Sequence, residues 1–276
     1  MIRIKNEIHI GISMPFTLLH ASDTHLTLAD SRDNERKNLL AQKRAGIFPN
    51  ASQNLEEIKN EIRSSGALLA YSGDLIDFVS SANLDAARAF CSEFDCFFAA
   101  GNHEFSQYVG EAFEDEAYRN QSLARVQAAF SNDIRFSSRL VNGVNLVAVD
   151  NSYYLIDECQ LNALKAECEK GFPIILVMHT PLYEENLCRD FLAHSRQPFA
   201  YAMCAPESLL SAYSESRRIQ QTPDRCTLEA FDLIIRSPQI RAILTGHLHY
   251  DYESRLNDRL TQYVTGVDTL REIRID

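Results

Sequence analysis

A chain of 276 residues with 45% hydrophobic and 24% charged content has room for one large domain or two small ones, and its composition indicates a globular core. The net charge of −11 works against binding duplex nucleic acid or an anionic membrane, because phosphate groups demand clustered Lys and Arg. No apolar run approaches the roughly 18–20 residues of a membrane span, and the first residues interleave charge rather than forming a signal-peptide core.

The first apolar run, residues 16–20, stops just before Asp23 and His25. Residues 27–50 are polar, charged and irregular, and their length marks them as a candidate active-site loop. The spacing of Leu55, Ile58 and Ile62 predicts a helix over 54–65, closed by Gly66. A buried strand at 67–71 then runs into Ser72-Gly73-Asp74, with Asp77 three positions on. A helix over 84–94 leads to a third run, 96–100, which ends in Gly101-Asn102-His103-Glu104. Residues 111–130 have helical composition, and a strand at 144–149 ends in Asp150. A helix over about 158–169 stops at Gly171, and the run 173–178 delivers His179. Residues 182–227, rich in Tyr, Ser and Arg and punctuated by prolines, break this rhythm and read as an insertion packed over something. A helix at 228–235 and a strand at 240–244 deliver Gly246-His247-Leu248-His249, and short strands at 262–264 and 272–275 follow.

Apolar strands alternating with helices predict an α/β layered fold with buried sheets, in which function gathers beyond the carboxyl ends of strands. The strand-end groups are Asp23, His25, Asp74, Asn102, His103, His179, His247 and His249, and they include five of the eight histidines. In Asp23-x-His25 and His247-x-His249, the i, i+2 spacing puts both side chains on one side of an extended segment. Imidazole and carboxylate without thiolate suit Mn, Fe, Zn, Co or Ni. Seven ligands are too many for one ion and about right for two, with Asp74 bridging them. Such a pair, roughly 3.5–4 Å apart, clamps a phosphate and acidifies a bridging water. His103, in excess of that count, could protonate a leaving oxygen, and Asp77 could hold its ring. The glycines before Asp74, Asn102 and His247 permit the close approach that such crowding needs.

The ordered set Asp23-x-His25, Gly73-Asp74-x-x-Asp77, Gly101-Asn102-His103-Glu104, His179 and Gly246-His247-x-His249 resembles the calcineurin-like metallophosphoesterase superfamily. The resemblance implies a four-layer α/β/β/α sandwich with a dinuclear site at one end of the paired sheets. We expect a single domain over 1–276, with about 182–227 as a lid-like insertion after the fifth core strand. By the same resemblance Asp23, His25 and His249 would hold the first metal, and Asn102, His179 and His247 the second. Asp74 would bridge, His103 would be the proton donor, and Asp77 its partner. The implied activity is phosphoric ester hydrolysis by a metal-bridging hydroxide, with diesters somewhat ahead of monoesters. Manganese is the first choice of metal, with iron, zinc, nickel or cobalt as substitutes. The expected partner is a small phosphorylated substrate, nucleotide-like or other, and neither nucleic acid nor a membrane.

Two departures bear on substrate class. Protein Ser/Thr phosphatases of the superfamily carry Arg-Gly where this chain has Phe78-Val79, and related small phosphodiesterases usually carry Asp where it has Glu104. Arg189, Arg196, Arg217 and Arg218 are either surface groups or contacts for a substrate phosphate. Tyr183 and Phe199 either line a leaving-group pocket or pack within the insertion. Asp150 reads as a turn former or outer acceptor, and His9, His20 and His194 carry no role. Seven cysteines, none in C-x-x-C, read as reduced, mostly buried thiols of a cytoplasmic protein, a thiolate zinc site being the weaker choice. The rival readings are a nuclease on the same site and a scaffold that keeps the fold without turnover.

Overall fold

The computed structural model describes residues 1–196 and 200–276, so Phe199 lies outside the described residues. Two mixed sheets form the frame. The first has the order β1-β11-β2-β3-β4, from β1 (Ile2–Ile8), β2 (Phe16–Ala21), β3 (Leu68–Tyr71), β4 (Cys96–Phe98) and β11 (Thr269–Ile275). The second has the order β5-β6-β7-β8-β10-β9. Its strands are β5 (Phe136–Val141), β6 (Val144–Val149), β7 (Ile174–Val177), β8 (Ile240–Thr245), β9 (Tyr252–Arg255) and β10 (Thr261–Val264). Strands β2, β3 and β4 run parallel in the first sheet, as do β6, β7, β8 and β10 in the second. Their carboxyl ends present the chemistry-bearing loops.

Ten helices complete the described chain. They are α1 (Glu35–Ala45), α2 (Ala51–Ser65), α3 (Ser81–Glu93), α4 (Glu116–Asn120), α5 (Leu123–Gln127), α6 (Glu158–Glu169), α7 (Glu185–His194), α8 (Glu207–Leu210), α9 (Glu215–Gln221) and α10 (Arg225–Arg236). Local chemistry sets several boundaries. Gly66 closes α2 at φ 65°, and Asp157 with Gln160 forms a reciprocal capping box on α6.

Every residue of β6 and β7 is buried, as strands covered on both faces must be. Three apolar clusters explain the cover. Leu55, Ile58 and Ile62 of α2 and Ala87 and Phe90 of α3 pack with Leu19, Leu69 and Phe98 on one face of the first sheet. Leu18, Ala70 and Phe97 of the first sheet meet Leu146, Ile175 and Leu244 of the second. Leu161 and Leu164 of α6 and Ala230 and Ile234 of α10 cover Val147, Leu176 and Ile243 on the far face. Each fully buried Leu, Ile or Phe contributes about 1.5–3 kcal/mol, so the three clusters dominate stability.

The structure corrects several expectations. The stretch 27–50 is not irregular throughout, because α1 occupies its middle. Little of that helix faces the core: its buried positions are Lys37 and Ala41, and Lys37 is anchored by its ammonium on the Val79 carbonyl. A helix docked by polar anchors leaves no apolar stripe to read. The expected long helix at 111–130 is instead α4 and α5, five residues each, broken at 121–122. Strands β1, β5 and β9 were not expected, and each lies at a sheet edge. All seven cysteines are free thiols. Three are buried, three half-buried and Cys159 exposed, so "mostly buried" overstates their burial. His20 is buried between Ser72 and Thr265 hydroxyls, and burial followed by the Arg271 charge pushes it down to about 3. Among the described residues, no helix is long and apolar enough to cross a membrane.

Candidate metal centre

The loop after β2 carries Asp23 and His25, and the loop after β3 carries Asp74 and Asp77. They run side by side, joined by Asp23 N–H to Gly73 O (3.0 Å), His25 N–H to Asp74 O (2.9 Å) and Asp77 N–H to Leu26 O (2.9 Å). The 3₁₀ turn after β4 adds Asn102 and His103, the end of β7 adds His179, and the end of β8 adds His247 and His249. All seven expected ligand residues converge. His25 Nε2 lies 2.9 Å from His249 Nε2, and His249 Nε2 lies 3.4 Å from Asp23 Oδ1. On the other side His179 Nε2 is 3.2 Å from Asn102 Oδ1 and 3.1 Å from His247 Nδ1. Asp74 Oδ2 stands between the two groups, 3.7 Å from His25 Nε2 and 3.2 Å from His179 Nε2.

Ring tautomers are set from outside. His25 gives its Nδ1–H to Asp77 Oδ1 at 3.0 Å, and His179 gives its Nδ1–H to the Ser72 carbonyl at 2.7 Å. His247 reaches the Tyr154 hydroxyl through Nε2 at 3.0 Å, which leaves Nδ1 facing inward. The inward Nε2 atoms of His25 and His179 therefore carry lone pairs, and they face the other imidazoles, Asn102 Oδ1 and carboxylate oxygens. Such packing is repulsive unless cations sit among the lone pairs, and nitrogen with oxygen donors suits a pair of divalent ions. Among the described residues, three groups of side chains are spaced to hold an ion: Asp23, His25 and His249; Asp23, Asp74 and His179; and His25, Asp74 and His103.

The backbone is strained here. Asp23, His25, Asp74, His247, His249 and Tyr154 all have φ between 52° and 68°. These six are most of the eight non-glycine residues with positive φ among the described residues. Each such residue costs on the order of 1–3 kcal/mol and persists only where its surroundings enforce it. The glycines make the crowding possible. A Cβ on Gly246 would sit 1.9 Å from Ser22 Oγ and 2.1 Å from Asp23 Oδ2, and one on Gly73 would sit 2.5 Å from Gly101 N. We expect Gly246→Ala to destabilise the fold by about 1–3 kcal/mol, or roughly 2–12 °C in Tm, and to lower metal content. Differential scanning calorimetry with metal analysis checks this, and an unchanged Tm contradicts it.

Asp77 joins the two roles. Its carboxylate takes two bonds from Arg44, at 2.6 and 2.7 Å, besides the one from His25. His103 Nδ1 lies 2.8 Å from the Asp77 carbonyl and 3.2 Å from its Oδ1. Burial would raise the Asp77 pKa, yet Arg44 and then the two histidines hold it well below the usual carboxylate range. For His103, burial lowers the pKa, but the Asp74 charge and the Asp77 bonds outweigh it and push it up to about 10. Cations bound at Asp74 would offset part of that attraction. Arg44→Leu leaves a buried carboxylate short of its main counterion, and we expect about 3 kcal/mol of destabilisation in urea melts.

Three supporting groups, Arg44, Tyr154 and Glu114, escaped sequence reasoning, and a fourth, Glu104, was read only as a departure from the motif. Arg44 lies in the loop marked as a candidate, but nothing local singles it out. Tyr154 follows the β6 strand end by five residues, the one faint signal for it. Glu104 is fully buried and accepts from the N–H groups of Asp74, Gly101, Leu75 and Ile76 at 2.7–3.2 Å. Its extra methylene relative to Asp lets it span both turns, while burial and then the Asp74 charge push it up to about 7. Glu114 accepts from Asn102 Nδ2 at 3.5 Å and from Gln220 Nε2 at 2.9 Å.

The remaining candidates sort plainly. Asp150 accepts from Ser152 and pairs with Arg135 at 2.6 Å, away from the ligand groups. Arg189 pairs with Glu185 on the surface, while Arg217 reaches Glu114 at 3.3 Å and Gln220 at 2.9 Å. Tyr183 packs with Leu187 and Leu248 in one apolar cluster and with Leu210 in another.

A family profile described as calcineurin-like phosphoesterase matches residues 16–251. Among solved structures, a dimetal phosphatase from Danio rerio is similar at 13% identity, covering 91% of this chain and 88% of that one, with a TM-score of 0.53. Phosphopantetheinyl hydrolase from Mycobacterium tuberculosis is similar at 13% identity, over 91% and 90% of the two chains, with a TM-score of 0.46. A calcineurin-like phosphoesterase from Bacillus subtilis is similar at 12% identity, over 92% and 82%, with a TM-score of 0.42. No curated protein sequence matches the chain.

Proposed function

The chain belongs to the calcineurin-like phosphoesterase family and is a hydrolase of phosphoric ester bonds, and from that premise we propose a dinuclear, metal-dependent mechanism with some preference for diesters. The observation that carries this reading is the convergence of seven side chains on two adjoining positions. Asp23, His25 and His249 would hold one ion, Asn102, His179 and His247 the other, and Asp74 both. Bound there, the ions would act as Lewis acids toward the phosphoryl group and lower the pKa of water. His103, its Nδ1 fixed by Asp77, keeps Nε2 free to hand a proton to the leaving oxygen. Asp77 acts on the reaction only through the rings it holds.

The diester preference rests on charge. A diester is a monoanion at neutral pH, whereas a monoester approaches a dianion and gains more from extra cations. Two guanidinium groups that reach residues of the centre are already committed, Arg44 to Asp77 and Arg217 to Glu114. The segment 182–227 would form a lid. Its α7 packs on Leu248, which lies between His247 and His249, and α9 reaches Glu114. Manganese is the first metal to try, a small phosphorylated compound the substrate class, and the cytoplasm the expected location.

Hydrolysis of bis-p-nitrophenyl phosphate and p-nitrophenyl phosphate after Mn²⁺ reconstitution tests the proposal. We expect turnover with the higher kcat/KM on the diester, and complete loss after EDTA that Mn²⁺ restores. A higher value on the monoester would reverse the preference and keep the centre. A protein that binds no metal and hydrolyses neither would overturn the mechanism in favour of a binding role.

A further inference from the structure

A cavity of about 220 Å³ lies between the loop before α4, the loop after β6, and α9, and Glu114 of its lining touches Asn102. It is smaller than the roughly 300–1,000 Å³ of a pocket that takes a whole small ligand, so it suits part of one. Phe113, Tyr153, Leu155 and Ile219 give it apolar walls, and Phe113 and Ile219 are exposed at 43% and 61%.

Two buried polar groups on its wall carry an atom without a hydrogen-bond partner. Arg119 is 7% exposed, and its buried Nε makes no hydrogen bond among the described residues. Its contacts are Asp150 Oδ2, 3.5 Å from Nε, and the ring faces of Tyr153 and Phe105 at 4.8 and 5.7 Å. Tyr153 is 2% exposed and its hydroxyl has no partner. Burial pushes that hydroxyl's pKa up, so it remains a donor. Unspent buried donors are costly to the fold unless something accepts from them. The neighbouring Arg135 offers no help, being spent on Asp150 and Asp157 at 2.6 Å each.

Charge narrows the acceptor. Glu114, Asp115, Glu116, Asp157 and Asp224 line the same cavity with Arg119 and Arg135, so a doubly charged second phosphate is repelled more strongly than a singly charged carboxylate or a neutral carbonyl. Position links the cavity to the reaction. Glu114 lines it and touches Asn102, and Tyr153 precedes the Tyr154 that holds His247.

We propose that this cavity is a subsite for the organic half of the phosphoester substrate, seating a carbonyl or carboxylate acceptor on Arg119 and Tyr153. The proposal rests on reading the centre as a phosphoester hydrolase. Ligand-observed NMR on the metal-reconstituted protein, with sodium benzoate and benzylamine as probes, tests the cavity without turnover. Benzoate should bind in preference to benzylamine. Its affinity should fall about 10-fold or more in Arg119→Met, which loses a charged donor, and about 3-fold or more in Tyr153→Phe, which loses a neutral one. Tyr153→Phe removes a single oxygen and serves if Arg119→Met does not fold. Equal benzoate binding by the folded variants, or a preference for benzylamine, overturns the assignment.

The link to the reaction is read from kcat/KM for 3-carboxyphenyl, 4-carboxyphenyl and 4-(carboxymethyl)phenyl phosphate, each relative to phenyl phosphate. At least one should be favoured in the wild type, with the preference falling toward parity in both variants. No preference overturns the subsite. A protein that binds benzoate through Arg119 yet turns over no aryl phosphate or diester would instead count against the hydrolase reading.

Discussion

Asp74→Asn should reduce phosphoester hydrolysis by about 10³-fold or more, with the protein still folded. The carboxylate stands between the two ligand groups, and its Oδ2 faces His25 Nε2 and His179 Nε2. Asparagine keeps the Oδ1 acceptor for the His103 N–H, now at 2.9 Å, and it tolerates the φ of 57° as well as aspartate does. What it loses is the charge, and in place of Oδ2 it presents an amide N–H₂ that cannot ligate. A Lewis-acid pair supplies several kcal/mol of transition-state stabilisation, which at about 1.4 kcal/mol per decade is roughly three decades of rate. Metal analysis should show fewer than two ions per chain. Full activity in a folded Asp74→Asn protein would remove the bridging role.

His103→Ala should lower kcat by about 10²–10⁴-fold, the usual range for a positioned acid or base, while metal content holds at the wild-type value. The ring packs edge-on against His25 at 4.7 Å and takes its orientation from Asp77, so it lies beside the centre without belonging to the expected ligand set. The diagnostic readout is leaving-group dependence. A donor to the leaving oxygen matters most where that oxygen is strongly basic, so an alkyl ester should suffer more than a p-nitrophenyl ester. Equal losses on both would reject proton donation and leave His103 as a stabiliser of charge.

Much of the fold was legible in the sequence, for a specific reason. Strands β2, β3, β4, β6, β7 and β8 are largely buried and so appear as mainly apolar runs. The runs stop where the chain leaves the sheet, and the next residues are the chemical ones. Gly73, Gly101 and Gly246 were readable as sites of close approach, although only Gly73 also has positive φ, at 93°. The three unexpected strands lie at sheet edges, where one side of the ladder meets no neighbour and alternation with charged residues hides the strand, as in Ile2–Ile8. Helix α1 escaped because its anchors are polar.

The sequence by itself picked out the residues that converge at the candidate centre, because their identity and order are local properties that strand ends display one loop at a time. Only the tertiary structure decided what surrounds them. The left-handed backbone at Asp23, His25, Asp74, His247 and His249 is enforced by neighbouring loops and leaves no mark on composition. The partners that fix each ring, Asp77 with Arg44 on His25, the Ser72 carbonyl on His179, and Tyr154 on His247, come from sequence separations of 52, 107 and 93 residues. Packing sets those pairings, and no spacing rule reaches that far. The cavity holding Arg119 and Tyr153 is likewise a product of three segments meeting, and so it becomes visible only when the chain is folded.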